Sequence, residues 1–199
     1  DLDADGYKEI YFGSDNNLLH GHNSFGEELV GFPFQSTDRI RSSPAIGDVD
    51  NDGQMEIVFG NSSGKLYIIN QDGSQQLAYT QLGFVEGAPA LVDIDGDQDL
   101  EIIFTTTTGS GGQVYVIHHN GATESGFPKE IGSMFAGPAV HDLDNDGVVD
   151  VVCVTYEKEI YAIEAIGGAI KAGFPFTAES RFSMPATIVD VDSDGDYEI

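Results

Sequence analysis

An acidic nine-residue stretch headed by alternating aspartates recurs five times in this chain, and its spacing limits the fold more than any other feature. The copies read DLDADGYKE from Asp1, DVDNDGQME from Asp48, DIDGDQDLE from Asp93, DLDNDGVVD from Asp142 and DVDSDGDYE from Asp190. Their starts lie 45 to 49 residues apart in a chain of 199 residues. A motif returning at such a period marks a structural unit copied in tandem, and a site copied with it.

Positions 1, 3, 5 and 9 of every copy are carboxylates. They are Asp1, Asp3, Asp5 and Glu9; Asp48, Asp50, Asp52 and Glu56; Asp93, Asp95, Asp97 and Glu101; Asp142, Asp144, Asp146 and Asp150; and Asp190, Asp192, Asp194 and Glu198. Alternating carboxylates ahead of a tight turn converge on one centre, and hard oxygen donors at this density suit Ca²⁺ better than zinc or copper. Position 7 would add a backbone carbonyl, from Gln54, Asp99, Val148 and Asp196 in copies two to five. Glycine at position 6 (Gly6, Gly53, Gly147, Gly195) permits a positive φ. The third copy has Gln98 there and its glycine at Gly96, so its turn is expected to be made differently.

Two competing readings fail. An EF-hand needs flanking helices and a bidentate Glu at position 12, where the second copy has Phe59. Acidic β-turns favour the same residues without metal, yet turn preference does not explain twenty acids at twenty ligand positions. The chain holds 34 acidic and 8 basic residues, a net charge of −26, and twenty of those acids are loop positions. Up to five structural Ca²⁺ ions would relieve that repulsion. The same charge argues against nucleic acid and anionic membrane surfaces.

With 40% apolar residues the chain can bury a sizeable core, and no apolar run approaches a membrane span. Cys153 stands alone in an apolar run and reads as a small core residue. Exposed extracellular-type calcium loops bind at roughly 10⁻⁴–10⁻³ M, so the expected setting is extracellular, secreted or cell-surface. The chain starts inside one motif and stops just after another, as expected of a segment of a longer array.

Short apolar runs surround each loop. Around the second copy, SSPAIGD leads in and MEIVFG leads out, followed by KLYIIN and QQLAYTQ after polar turns. Four short strands in a unit of this length, without helical periodicity, predict an all-β propeller of four-stranded antiparallel blades. The boundaries predicted are an incomplete blade over 1–41, blades over 42–86, 87–135 and 136–183, and a further first strand and loop over 184–199. Pro44, Pro89, Pro138 and Pro185 open the first strand of their units, whereas Pro33, Pro128 and Pro175 fall in GFP tripeptides assigned to the outermost strand, as in ESGFPKE and AIKAGFPF.

The segments PAIGDVDNDGQMEIVFG, APALVDIDGDQDLEIIF and GPAVHDLDNDGVVDVVC resemble the FG-GAP repeat, also described as the VCBS repeat, of integrin α-subunit propellers and many secreted bacterial proteins. GFP followed by S-P-A-I-G-D looks most like the bacterial extracellular branch. The resemblance implies a propeller of about seven blades, of which about four are present, with each calcium loop joining a blade's first and second strands. An open arc is expected over a closed four-bladed ring, because closure would set the first and last loops in one position. Open blade edges would favour self-association.

On that reading calcium loops occupy one face, and inter-blade loops form the other. Arg39, Arg41 and Arg181, with Phe135 and Phe182, fall in the inter-blade loops. They form a candidate ligand patch for an acidic or carbohydrate partner, or else channel packing with arginines neutralising nearby acids. The pairs His20/His22 and His118/His119 share one repeat slot and read as solvated turn residues rather than ligands, and His141 is expected to touch the Asp142 loop from outside. No nucleophile elbow, phosphate loop or HExxH motif appears. The function expected is non-catalytic binding of an extracellular protein or glycan. The alternative is an accessory region of a secreted hydrolase or lyase. The loops from Asp48, Asp93 and Asp142 have strands on both sides and are expected to bind best, with those from Asp1 and Asp190 weak or disordered.

Overall fold

The structure, a computed structural model, describes residues 2, 6–182, 184–195 and 197–199. Short apolar runs punctuated by glycine and asparagine turns leave strands as the regular elements, and the described residues contain fifteen strands and no helix. Strands β1 (Ile10–Gly13), β2 (Leu18–His22) and β3 (Phe34–Gln35) form a three-stranded blade in that order. The second blade runs β4 (Ala45–Gly47), β5 (Glu56–Gly60), β6 (Lys65–Asn70) and β7 (Gln75–Thr80). The third runs β8 (Ala90–Val92), β9 (Glu101–Thr105), β10 (Gly112–Ile117) and β11 (Lys129–Ile131). The fourth runs β12 (Ala139–His141), β13 (Asp150–Val154), β14 (Glu159–Glu164) and β15 (Phe176–Thr177). All strand pairs are antiparallel.

Strand alternation explains how the blades stack. Successive side chains on β5 and β6 point to opposite faces. Phe59, Tyr67 and Ile69 pack with Leu19, Phe32 and Ile40 of blade one. Val58, Leu66 and Ile68 pack with Ile102, Phe104, Tyr115 and Ile117 of blade three. Ile103, Val114 and Val116 then meet Val151, Cys153 and Ile163 of blade four. A strand covered on both faces has no polar alternation, so β5, β9 and β13 read as unbroken apolar runs behind one acid and are buried throughout. Cys153 belongs to this core, and burial pushes its thiol up to about 12.

The register repeats from blade to blade. Phe12 faces His20, Phe59 faces Tyr67, Phe104 faces Tyr115 and Cys153 faces Tyr161 across the second and third strands. The innermost strands β4, β8 and β12 lie side by side, each preceded by its proline. Core clusters join blades one and two, two and three, and three and four, none among the described residues joins four to one, and the blades form an open arc. Ile10 and Phe12, in the slots that are buried between blades elsewhere, are 59% and 44% exposed.

Two strand expectations need correction. The segments ESGFPKE and AIKAGFPF are not continuous outer strands. In blades one, three and four the chain makes a single bridge (His22 to Glu28, Ile117 to Thr123, Ile163 to Ile170), turns, and passes a cis Phe–Pro bond before β3, β11 and β15. Proline has no N–H to give the ladder. The second blade lacks GFP and keeps β7 as one strand. Secondly, PATIVD is not paired as an innermost strand among the described residues; its one bridge, Val189 to Glu198, closes its own acidic loop.

Candidate functional site

The second, third and fourth acidic loops span the turns between their blades' first two strands, β4–β5, β8–β9 and β12–β13. Within them the carboxylates organise the backbone. Asp48 accepts hydrogen bonds from the amides of Asp52 and Gly53, each at 3.0 Å, and Asp142 does the same for Asp146 and Gly147 at 3.1 and 2.9 Å. The last acid ties the loop to its start: Glu56 accepts from Val49 N–H, Glu101 from Ile94, Asp150 from Leu143 and Glu198 from Val191, at 2.9–3.0 Å. Glu9 repeats this with Leu2 at 2.6 Å. Glu56, Glu101 and Asp150 are buried beneath their loops.

These arrangements gather ligand atoms. Carboxylate oxygens of Asp48, Asp50 and Glu56 come within 4.8 Å of one another, as do those of Asp93, Asp95 and Glu101, of Asp142, Asp144 and Asp146, and of Asp190, Asp192 and Asp194. Such clusters could hold a metal ion. The second loop fits a hard cation well: its donors are all oxygen, and Asp50 Oδ1 is buried without a hydrogen-bond partner. Burial pushes the Glu56 carboxyl up to about 7; Val49 N–H opposes this, and Asp50, Asp52 and Asp48 reinforce it. A cation among these groups would favour the ionised form. Asp52, Asp97 and Asp99 lie at the exposed side of their loops or nearer the surface than Glu56 and Glu101, and Gln54, whose carbonyl is the expected position-7 donor, gives its amide N–H to Asp52 at 2.8 Å. Val148 does likewise to Asp146 at 2.8 Å. Asp1, Asp3, Asp5 and Asp196 lie outside the described residues.

The third loop corrects the expectation that its turn is different. Gln98 adopts φ +82°, beside +89° at Gly53 and +88° at Gly147, and Gly96 takes φ +83° where Asn51 and Asn145 take +53° and +58°. The loop has the same two left-handed positions, with glycine moved from the second to the first. The fifth loop keeps the pattern of the others, with Gly195 N–H on Asp190 at 3.1 Å, and leans on the fourth through Asn145 Nδ2, which donates to Gly195 O at 3.1 Å. His141 contacts the fifth loop: its ring centroid lies 3.9 Å from that of Tyr197.

Histidines participate more than the sequence suggests. His118 sits between Glu101 (2.9 Å) and Glu124 (3.3 Å), and His119 lies 3.1 Å from Asp99. Sequence order hides this because β10 returns beside β9 only in the folded blade. On blade one, His20 pairs with Glu28 at 3.0 Å, and these two gather with His22 as a further potential metal group.

At the opposite strand ends the inter-blade loops meet the turns between second and third strands, as where Val85 N–H reaches Asn61 O at 3.1 Å. The five patch residues divide there. Arg41 and Phe135 line a depression of about 510 Å³ with Glu86 and Met184, and Arg41 also pairs with Asp15 at 3.1 Å. Arg181 and Phe182 line a second hollow beside Val154 and Ile160. Arg39 stands in neither and lies 3.9 Å from Asp38. Tyr156, which the sequence reading missed, links two of them: the Arg181 guanidinium lies 4.2 Å from its ring centroid, and Phe135 meets that ring edge-on at 5.8 Å.

Stacked antiparallel blades, three of which carry an acidic loop between their first two strands, define a β-propeller repeat array. The chain belongs to the FG-GAP-like repeat family, whose model matches residues 1–59, 48–104 and 93–153. Among solved structures, BBS1N in complex with ARL6DN aligns with a TM-score of 0.65 at 12% identity, over 90% of this chain and 55% of that one. BamB from Moraxella catarrhalis aligns at 0.57 and 20% identity, over 83% and 44%. The PilY1 C-terminal domain of Pseudomonas aeruginosa aligns at 0.58 and 17% identity, over 85% and 40%. These likenesses show the fold alone, and the chain spans about half the length of the solved structures it matches. A search of curated proteins finds no match.

Proposed function

We propose that this chain is a calcium-stabilised, extracellular propeller segment that binds a protein or glycan partner without catalysis. Support comes from the division of labour between the two ends of the blades. At one end, carboxylates converge around buried acids; at the other, Arg41, Glu86, Phe135 and Met184 surround an open depression of about 510 Å³. Calcium would be held by the carboxylates of Asp48, Asp50 and Glu56 and of Asp93, Asp95 and Glu101, and would neutralise charge that otherwise opposes folding. Its role is structural, stabilising the folded state by mass action.

The opposite rim suits a partner offering an acidic or hydroxyl-rich group to Arg41 beside the exposed face of Phe135. A glycan array and capture of extracellular proteins, run in calcium with the wild type and with Arg41→Ala/Phe135→Ala, tests this. Retained ligands that the double variant loses are expected. Ligands bound equally by both proteins, or none bound by either, would remove the rim from the proposal.

A further inference from the structure

One slot of the outer strand recurs in all four blades, reaches the acidic loop in blades two and four, and has a different occupant in each blade. The backbone N–H groups of Leu29, Glu124 and Lys171 donate to equivalent third-strand carbonyls, those of Gly21, Val116 and Ala162. In blade two, where Ile69 pairs with Gln75 as Ile163 pairs with Ile170, the slot is Gln76. The side chains of Gln76 and Lys171 reach the same loop position. Gln76 Nε2 donates to Asp50 Oδ2 at 2.8 Å, and Lys171 Nζ lies 2.8 Å from Asp144 Oδ2.

The consequences for the two loops are opposite. Gln76 is neutral and brings no charge to the second loop. A buried carboxylate oxygen without a hydrogen-bond partner is common to both loops (Asp50 Oδ1, Asp150 Oδ1), so the contrast lies in the charge supplied to it. Lys171 brings a full positive charge, only 12% exposed, to within 3.0 Å of Asp150 Oδ2 and 3.8 Å of Asp146 Oδ2 as well. Position 9 has changed with it: the fourth loop alone carries Asp150 there, one methylene shorter than the glutamates of the other loops. Asp150 Oδ2 already accepts from Leu143 N–H. The oxygens that gather at the fourth loop are those of Asp142, Asp144 and Asp146, without the position-9 acid that joins the second loop's group, and an ammonium stands between them and Asp150.

We propose that Lys171 is the resident cation of the fourth loop, so that this blade is held without calcium while the second loop requires it. The proposal rests on the calcium reading of the second loop. The third loop, where Glu124 approaches Glu101 through His118, is a different case and is not included.

The test follows the amide resonances of Gly53 and Gly147 by ¹⁵N NMR during a calcium titration of the wild type, Lys171→Gln and Gln76→Lys. In the wild type, Gly53 should shift and Gly147 should stay in place at calcium concentrations that saturate Gly53. Lys171→Gln should make Gly147 responsive and raise the calorimetric stoichiometry by one ion per chain. Gln76→Lys should silence Gly53. In chelator, Lys171→Gln should melt below the wild type, a readout that needs no metal. A Gly147 that titrates with Gly53 in the wild type, or a Lys171→Gln protein that gains no ion and melts in chelator like the wild type, would overturn the assignment. A silent Gly53 in the wild type would instead refute the calcium reading of the second loop, leaving the chelator melt to decide whether Lys171 holds the fourth.

Discussion

Glu56 accepts a hydrogen bond from the buried N–H of Val49 at 2.9 Å, across a seven-residue separation that closes the second acidic loop onto its own entry strand. The same bond recurs between Ile94 and Glu101 and between Leu143 and Asp150. The last acid of each loop therefore has a backbone to hold in addition to any ion.

That dual role separates two substitutions. Glu56→Ala leaves Val49 N–H buried without a partner, and should cost about 1–3 kcal/mol of stability with or without calcium. Glu56→Gln keeps a carbonyl acceptor and removes the buried charge. In chelator at pH 8 it should melt at or above the wild type, and calcium should raise its melting temperature less than that of the wild type. Paired melting curves in chelator and in calcium check both statements.

The pH dependence follows from the same burial. Desolvation raises the Glu56 carboxyl to about 7, and raises Glu101 and Asp150 in the same direction. An acid whose folded pKa lies above its unfolded value favours the folded state fully below the unfolded pKa, and that contribution is lost as pH rises through the folded one. For Glu56 the window runs from the ordinary carboxyl value of 4.5 to about 7. In chelator the melting temperature should fall between pH 5 and 7.5, and saturating calcium should flatten that fall.

At the third loop, Gln98 holds φ +82°. A left-handed conformation costs a residue with a Cβ roughly 1–2 kcal/mol. Gln98→Gly should therefore stabilise the chain by about 1 kcal/mol, seen as a higher denaturant midpoint at unchanged slope. Gly96→Ala should do the reverse; an added Cβ there meets nothing within 4 Å, so its cost is conformational and not steric.

The blade pattern was legible because its causes are local. Loop spacing, proline slots and doubly covered apolar strands each leave a mark within a few residues, as in DVDNDGQMEIVFG. The loop ligands were legible for the same reason. What stayed hidden depends on partners distant in sequence. Lys171 is 27 residues from Asp144, and His118 is 17 from Glu101, so only strand return brings them together. Tyr156 joins Arg181 and Phe135 by packing across loops, which no spacing encodes. The left-handed Gln98 also escaped, because the loop's own Asp93 takes its N–H at 3.2 Å and the turn forms without glycine there.

Thermal unfolding at neutral pH, in excess chelator and in millimolar calcium, tests the central claim most directly. The carboxylates of the second loop converge around the buried Glu56, so calcium should raise the melting temperature strongly, and Asp48→Ala/Asp50→Ala should abolish much of that rise. Identical melting curves in chelator and calcium would contradict the account.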